Sequence, residues 1–159
     1  MKFSFLVPLA FLAAIPITVK AQADCAAGPS VSQPPYHFVS PNWDSGGNNM
    51  WVNPAGSAQI QLTTHFLKPG IDIKKYAKEY PATLKQEEVS ISKKKEISVG
   101  PLKAYLMEGK QKVGSQISRM ESISIFGEQL YFFTLISNED AYKEAKACLE
   151  SVVKTFQKN

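Results

Sequence analysis

LYFFTLIS (Leu130–Ser137) decides how this chain folds. Leu130, Phe132, Thr134 and Ile136 fall on one side of an extended segment, and Tyr131, Phe133 and Leu135 on the other. Successive side chains of a strand point to opposite faces. A strand that is apolar on both faces belongs in the middle of a sheet, covered above and below.

Working outward, AQIQLTTHF (residues 58–66) alternates with period two. Ile60, Leu62, Thr64 and Phe66 form the apolar row; Gln59, Gln61, Thr63 and His65 form the polar one. That is a half-buried strand. YHFVS and MWV read as short strands around the turn-rich PNWDSGGNN (residues 41–49). Asp72 is placed to cap a helix carrying Ile73, Tyr76, Ala77 and Tyr80 on its inner side, and Pro81 is expected to end or kink it. Residues 88–100 return to strand, with a turn or bulge expected near Lys93, Lys94 and Lys95. Residues 102–109 and 115–127 are further strands, joined at KQKVG. The chain closes on a helix capped by Asn138, with Tyr142, Ala145, Leu149, Val152 and Phe156 as its stripe and Cys148 beside it. Successive hairpins make a largely antiparallel sheet. The expected class is α+β: an antiparallel β-sheet with helices packed on both faces, an α/β/α sandwich.

Upstream, residues 3–19 are uncharged, contain Pro8 and Pro16, and end in Ala21-Gln22-Ala23. This is the pattern of a cleaved signal peptide over residues 1–23, with a retained anchor as the alternative. Residues 24–35, small and proline-rich, read as an irregular N-terminal arm, and 36–159 as one α+β domain. Asp24 before Cys25 fits a lipoprotein cleavage site badly. Export places the protein in the periplasm or outside the cell, where an even pair of cysteines forms a disulfide. Cys25 and Cys148 are the two cysteines, so one intramolecular pairing exists. The alternative is two free thiols, with Cys148 packed as a small apolar side chain.

The formal charge is +4, and loss of Lys2 and Lys20 with the leader reduces it to +2. So small an excess does not indicate nucleic-acid binding. His37 and His65 lack metal-ligand spacing, no CxxC, GxSxG or P-loop pattern occurs, and no cofactor or metal is expected. Arg119 and Glu121 share a strand face as a pocket pair or a structural ion pair. Trp43 and Trp51, which flank a Gly/Asn loop, together with His65 and the lysines Lys93, Lys94 and Lys95, form a possible recognition surface. Core packing for the tryptophans and a solvated face for the lysines are the plainer readings; Lys74, Lys75 and Lys78 could extend the basic surface.

YHFVSPNW (residues 36–43), GPLKAYLMEG (residues 100–109) and the closing strand and helix (residues 127–156) resemble the PsbP-like superfamily, which includes the photosystem extrinsic protein PsbP and DcrB-like bacterial exported proteins. Tyr36, Phe38, Pro41 and Trp43 match its opening strand and turn. Thr155-Phe156 stands where a Ser-Phe or similar pair is typical. The resemblance implies an α/β/α sandwich and a non-enzymatic, interaction-type role with an unspecified protein or envelope partner. It carries over no binding residue. The expected function is an exported, non-catalytic binding or accessory protein; the alternatives are a small-ligand or lipid carrier using the sheet face, or a small envelope hydrolase.

Overall fold

Leu130–Ser137 is β9, the fourth of seven strands. The computed structural model of the chain describes residues 25–67, 72–86 and 88–159. The signal-peptide reading of residues 1–23 and the proposed start at Asp24 lie outside the described residues.

In chain order the elements are β1 (Ala27–Gln33), β2 (Tyr36–Pro41), β3 (Asp44–Gly47), β4 (Met50–Val52), β5 (Ala58–His65), α1 (Ile73–Gln86), β6 (Val89–Val99), β7 (Leu102–Val113), β8 (Gln116–Phe126), β9, α2 (Tyr142–Lys154) and β10 (Gln157–Lys158). The large sheet runs β3-β4-β5-β9-β8-β7-β6, and β1-β2-β10 form a second, three-stranded sheet. Every strand pair is antiparallel. The fold is α+β, mostly antiparallel sheet with two helices.

The core follows the alternation along β9. Tyr131, Phe133 and Leu135 join a cluster with Cys148, Leu149 and Val152 of α2 and with Tyr36 and Phe38 of β2. Leu130 and Phe132 join another with Tyr76, Tyr80 and Leu84 of α1. The first cluster also links the two sheets through aromatic rings: Phe38 meets Phe133 edge-on at 5.3 Å, and Tyr36 meets Tyr131 edge-on at 5.1 Å. In the second, the Tyr76 hydroxyl reaches Ser124 Oγ at 2.8 Å, giving both buried polar groups a partner.

Several local expectations are corrected. The irregular arm of residues 24–35 is largely strand: β1 lies along β2, after which the chain turns through a cis Pro34–Pro35 bond. Its small residues have little strand preference of their own. They suit close approach instead, since a Cβ on Gly28 would lie 2.6 Å from the Pro41 carbonyl oxygen. Pro81 does not end α1, which continues to Gln86. An internal proline costs about 3 kcal/mol, but Tyr76, Tyr80 and Leu84, four residues apart, are buried in the sheet and hold the later turn in register. Asp72 caps this helix as expected, its Oδ1 accepting the Lys75 N–H at 2.8 Å.

β6 runs straight through Lys93, Lys94 and Lys95; the bulge precedes them, between Ile91 and Lys93. One extra residue reverses the facing of all that follow. Val89 and Ile91 therefore pack with α1, whereas Ile97 and Val99 pack with the α2 cluster. KQKVG is strand through Val113, and the turn comes at Gly114 and Ser115. Phe66, expected in the apolar row, lies past the end of β5 and is 88% exposed. At the β3–β4 turn, Asn48 and Asn49 take φ values of 48° and 55°, the left-handed pair that a two-residue hairpin of this twist requires.

Candidate functional site

Glu121 stands between Arg119 and the apolar Ile123 and Ile125 on one face of a strand. These residues of β8 all face α2, and Glu121 is 0% exposed. A buried carboxylate needs charged or hydrogen-bonding partners. Register places Glu108 of β7 directly opposite, and α2 supplies the rest from one face, because Tyr142 and Lys146 are four residues apart. The Tyr142 hydroxyl donates to Glu121 Oε2 at 3.1 Å. Lys146 Nζ lies 3.1 Å from that oxygen and also bonds Glu108 Oε1, which accepts from Lys93 at 3.0 Å. The Arg119 guanidinium sits over the Tyr142 ring, 4.2 Å from its centre, and pairs with Glu139 at 3.2 Å. Lys110 joins Glu139 from the outside at 3.2 Å.

Burial raises the Glu121 carboxyl above its ordinary range, and the bonds from Lys146 and Tyr142 only partly offset this. Burial acts the same way on Glu108, but there the hydrogen bonds and charges of Lys146 and Lys93 outweigh it and hold the carboxyl low. Tyr142 is pushed up to about 12, first by burial and then by the adjacent Glu121 charge. Burial disfavours the Lys146 cation, yet its bonds to the two carboxylates hold it well above the ordinary lysine value. One ammonium therefore bridges two carboxylates from neighbouring strands and fastens α2 to the sheet. The Arg119–Glu121 pair expected from the shared strand face is not the ion pair formed: both residues belong to this network, and Glu139 is the carboxylate that Arg119 meets. In the sequence Tyr142 reads only as part of the apolar stripe of α2, and Glu108 and Lys146 carry no signal of their own. The signal that could have found them is the lone acid of β8, on the same face as Ile123 and Ile125.

Cys25 and Cys148 are joined, with a Cα–Cα distance of 5.2 Å. Cys148 is fully buried in the α2 stripe, and Cys25 packs against the same core. The residues of the expected recognition surface fall in different places. Trp43 and Trp51 are each only 7% exposed and lie in the core; only the loop between them is exposed. They pack inward with the residues of the α2 cluster, Phe38 lying edge-on to Trp51 at 5.7 Å. His65 is half-buried at the end of β5, where burial lowers its pKa. Lys93, Lys94 and Lys95 are exposed on β6. Four strand positions separate β5 from β6, about 19 Å at ordinary strand spacing, so His65 and the lysines do not form one patch. His37 is bonded to Asn159 and Gln157 where β2 meets β10. Among the described residues, no group of three or more His, Cys, Asp or Glu side chains could hold a metal ion.

No protein-family model matches the chain, and no curated protein matches it by sequence. Solved structures do. Cyanobacterial PsbP (CyanoP) from Synechocystis sp. PCC 6803 is 13% identical with a TM-score of 0.65, covering 96% of this chain and 99% of its own. PA94 from Pseudomonas aeruginosa, a protein of unknown function, is 11% identical with a TM-score of 0.63, covering 82% of this chain and 96% of its own. LpqN of Mycobacterium tuberculosis, involved in cell envelope biogenesis, has a TM-score of 0.48 at 13% identity, over 83% of this chain and 76% of its own. With CyanoP matched over nearly its whole length, and with the opening strand, central hairpin and closing strand and helix in place, the chain has a PsbP-like fold.

Proposed function

We propose that this chain is an exported, non-catalytic accessory domain that binds a protein or another component of the cell envelope. The observation that carries the reading is the bond between Cys25 and Cys148. Disulfides persist in oxidising compartments and are rare in the cytosol. This one ties the start of the folded domain to its last helix, 123 residues away. It suits a periplasmic or secreted protein released from a leader ending at Ala23, with residues 36–159 as the main domain. Among the described residues, no helix is long and apolar enough to cross a membrane.

The PsbP-like fold supports an accessory role over turnover. So does the chemistry of the buried network, whose acids and cation bind one another: Glu121 is sealed from solvent, and Glu108 is already engaged by two lysines. The layering we propose has one helix on each face of the large sheet. Its support is the division of β9, odd residues clustering with α2 and even residues with α1. For recognition, the exposed lysines of β6 are better suited than the buried tryptophans.

Two measurements test this reading. Intact mass of the protein recovered from the envelope or medium should match an oxidised chain beginning at Asp24. That chain, used as bait on native envelope extract without reductant, should enrich one partner in stoichiometric amount. A full-length precursor with two free thiols, or the absence of any enriched partner, overturns the proposal.

A further inference from the structure

The large sheet ends in β3 on one side and β6 on the other. β3 has 4 residues and β6 has 11. Each outer strand presents backbone N–H and C=O groups away from the sheet, a ready template for another strand. On β6 the stretch from Ser92 to Glu96 is exposed, as is Ser98. The one irregularity, between Ile91 and Lys93, lies near its start; from Lys93 to Val99 the pairing with β7 is regular. A bulge that far back leaves the rest of the edge without a further strand among the described residues.

The side chains decide what can pair there. Lys93 and Lys95 point to the α2 side, with Ile97, and Lys94 to the α1 side. The α2 side of the row is therefore basic, whereas on the α1 side Lys94 is followed by Glu96. Lys93 is partly neutralised by Glu108 at 3.0 Å. Consider a second copy pairing antiparallel about Lys94. It would set Lys94 against Lys94 and Lys93 against Lys95, and like charges directly opposite are unfavourable. In that register the lysines repel a second copy, and in any register they attract carboxylates at the opposing positions.

We propose that β6 accepts an acidic, extended segment of a partner protein as an eighth strand. Main-chain hydrogen bonds along residues 93–99 supply the affinity, and Lys94 and Lys95, with Lys93, select glutamate or aspartate in the segment. This rests on the accessory-binding reading above and gives its partner a chemistry.

The test uses the oxidised mature chain and a ten-residue peptide alternating glutamate with valine or threonine. Three companions accompany it: the same peptide with lysine for glutamate, and two copies N-methylated on alternate residues, one on each edge. The acidic peptide should bind, shift amide resonances along β6, and slow hydrogen exchange of its outward N–H groups. The N-methyl copy blocked on the pairing edge should lose about tenfold or more in affinity, since every missing main-chain bond removes part of the template. The copy blocked on the outer edge should still bind, and the lysine peptide should not. The K94E/K95E double variant should reverse the preference between the acidic and the lysine peptides. Equal binding by both N-methyl copies, or shifts confined to Lys74, Lys75 and Lys78 on α1, would overturn strand addition. If the envelope partner is captured equally well by K94E/K95E while the acidic peptide fails to bind, strand addition is wrong and the accessory reading stands. If the peptide binds as expected but no envelope partner is enriched, the reverse holds.

Discussion

Replacing Lys146 with methionine keeps the unbranched four-atom stem while deleting the ammonium that bridges Glu108 and Glu121. The cost falls unevenly on the two acids. Glu108 is 12% exposed and keeps Lys93, so its loss is small. Glu121 is 0% exposed and retains only the Tyr142 hydroxyl among its observed donors. Removing one partner of a buried ion pair typically costs 3–5 kcal/mol. With the tyrosine bond remaining, about 3 kcal/mol at pH 7 is expected. The pH dependence identifies the cause. Glu121's carboxyl is already raised by burial, and losing the cation raises it further in the folded state only. A group held above its unfolded pKa contributes most stability below that unfolded value, and the contribution is lost as pH rises through the folded pKa. Each tenfold change in proton affinity is about 1.4 kcal/mol. The gap between Lys146→Met and the parent should therefore shrink to about 1 kcal/mol near pH 4.5, below the raised folded value, with Glu121 already protonated in the variant. Urea unfolding of both oxidised proteins at the two pH values measures it. Glu121→Gln in the Lys146→Met background should recover most of the loss at pH 7. A penalty under about 1 kcal/mol at pH 7, or an equal penalty at both pH values, would refute the reasoning: Lys146 would then act through its stem alone.

Phe133→Ala should destabilise by roughly 3–5 kcal/mol, because Phe133 is fully buried between Phe38 and Phe156; a denaturant-melt difference below about 1 kcal/mol contradicts its central place. Cys25→Ala with Cys148→Ala should cost about 4–5 kcal/mol in the chain-entropy view of so long a loop, and complete alkylation of both thiols in the native, unreduced parent would show that there is no bond to lose. Tyr76→Phe should cost about 1–3 kcal/mol by stranding the Ser124 hydroxyl; adding Ser124→Ala should return part of that, and a purely additive double variant argues against the bond.

What the sequence determined by itself is what short-range periodicity encodes. The two apolar faces of Leu130–Ser137 require a central, covered strand, and β9 is the fourth of seven. The alternation from Ala58 to His65 and the spacing Ala145, Leu149, Val152 are equally local, and they face where their periods point. Two cysteines leave one pairing to make, and Cys148 beside that stripe is where the bond forms. The tertiary structure decided whatever depends on residues far apart in the chain. Residues 27–33 show no strand pattern, because β1 is held by β2 and by the bond at Cys25 rather than by its own preferences. Pro81 stays inside α1 because the sheet holds Leu84 beyond it. Trp43 and Trp51 are loop-flanking in sequence yet buried, since what covers them comes from elsewhere in the core. A single bulged residue before Lys93 sets which lysines face α2, and register alone brings Glu108 opposite Glu121 and both beneath Lys146. A chain carries its own periods in its letters, but a burial site or an ion pair is a relation between segments, and only their packing supplies the second partner.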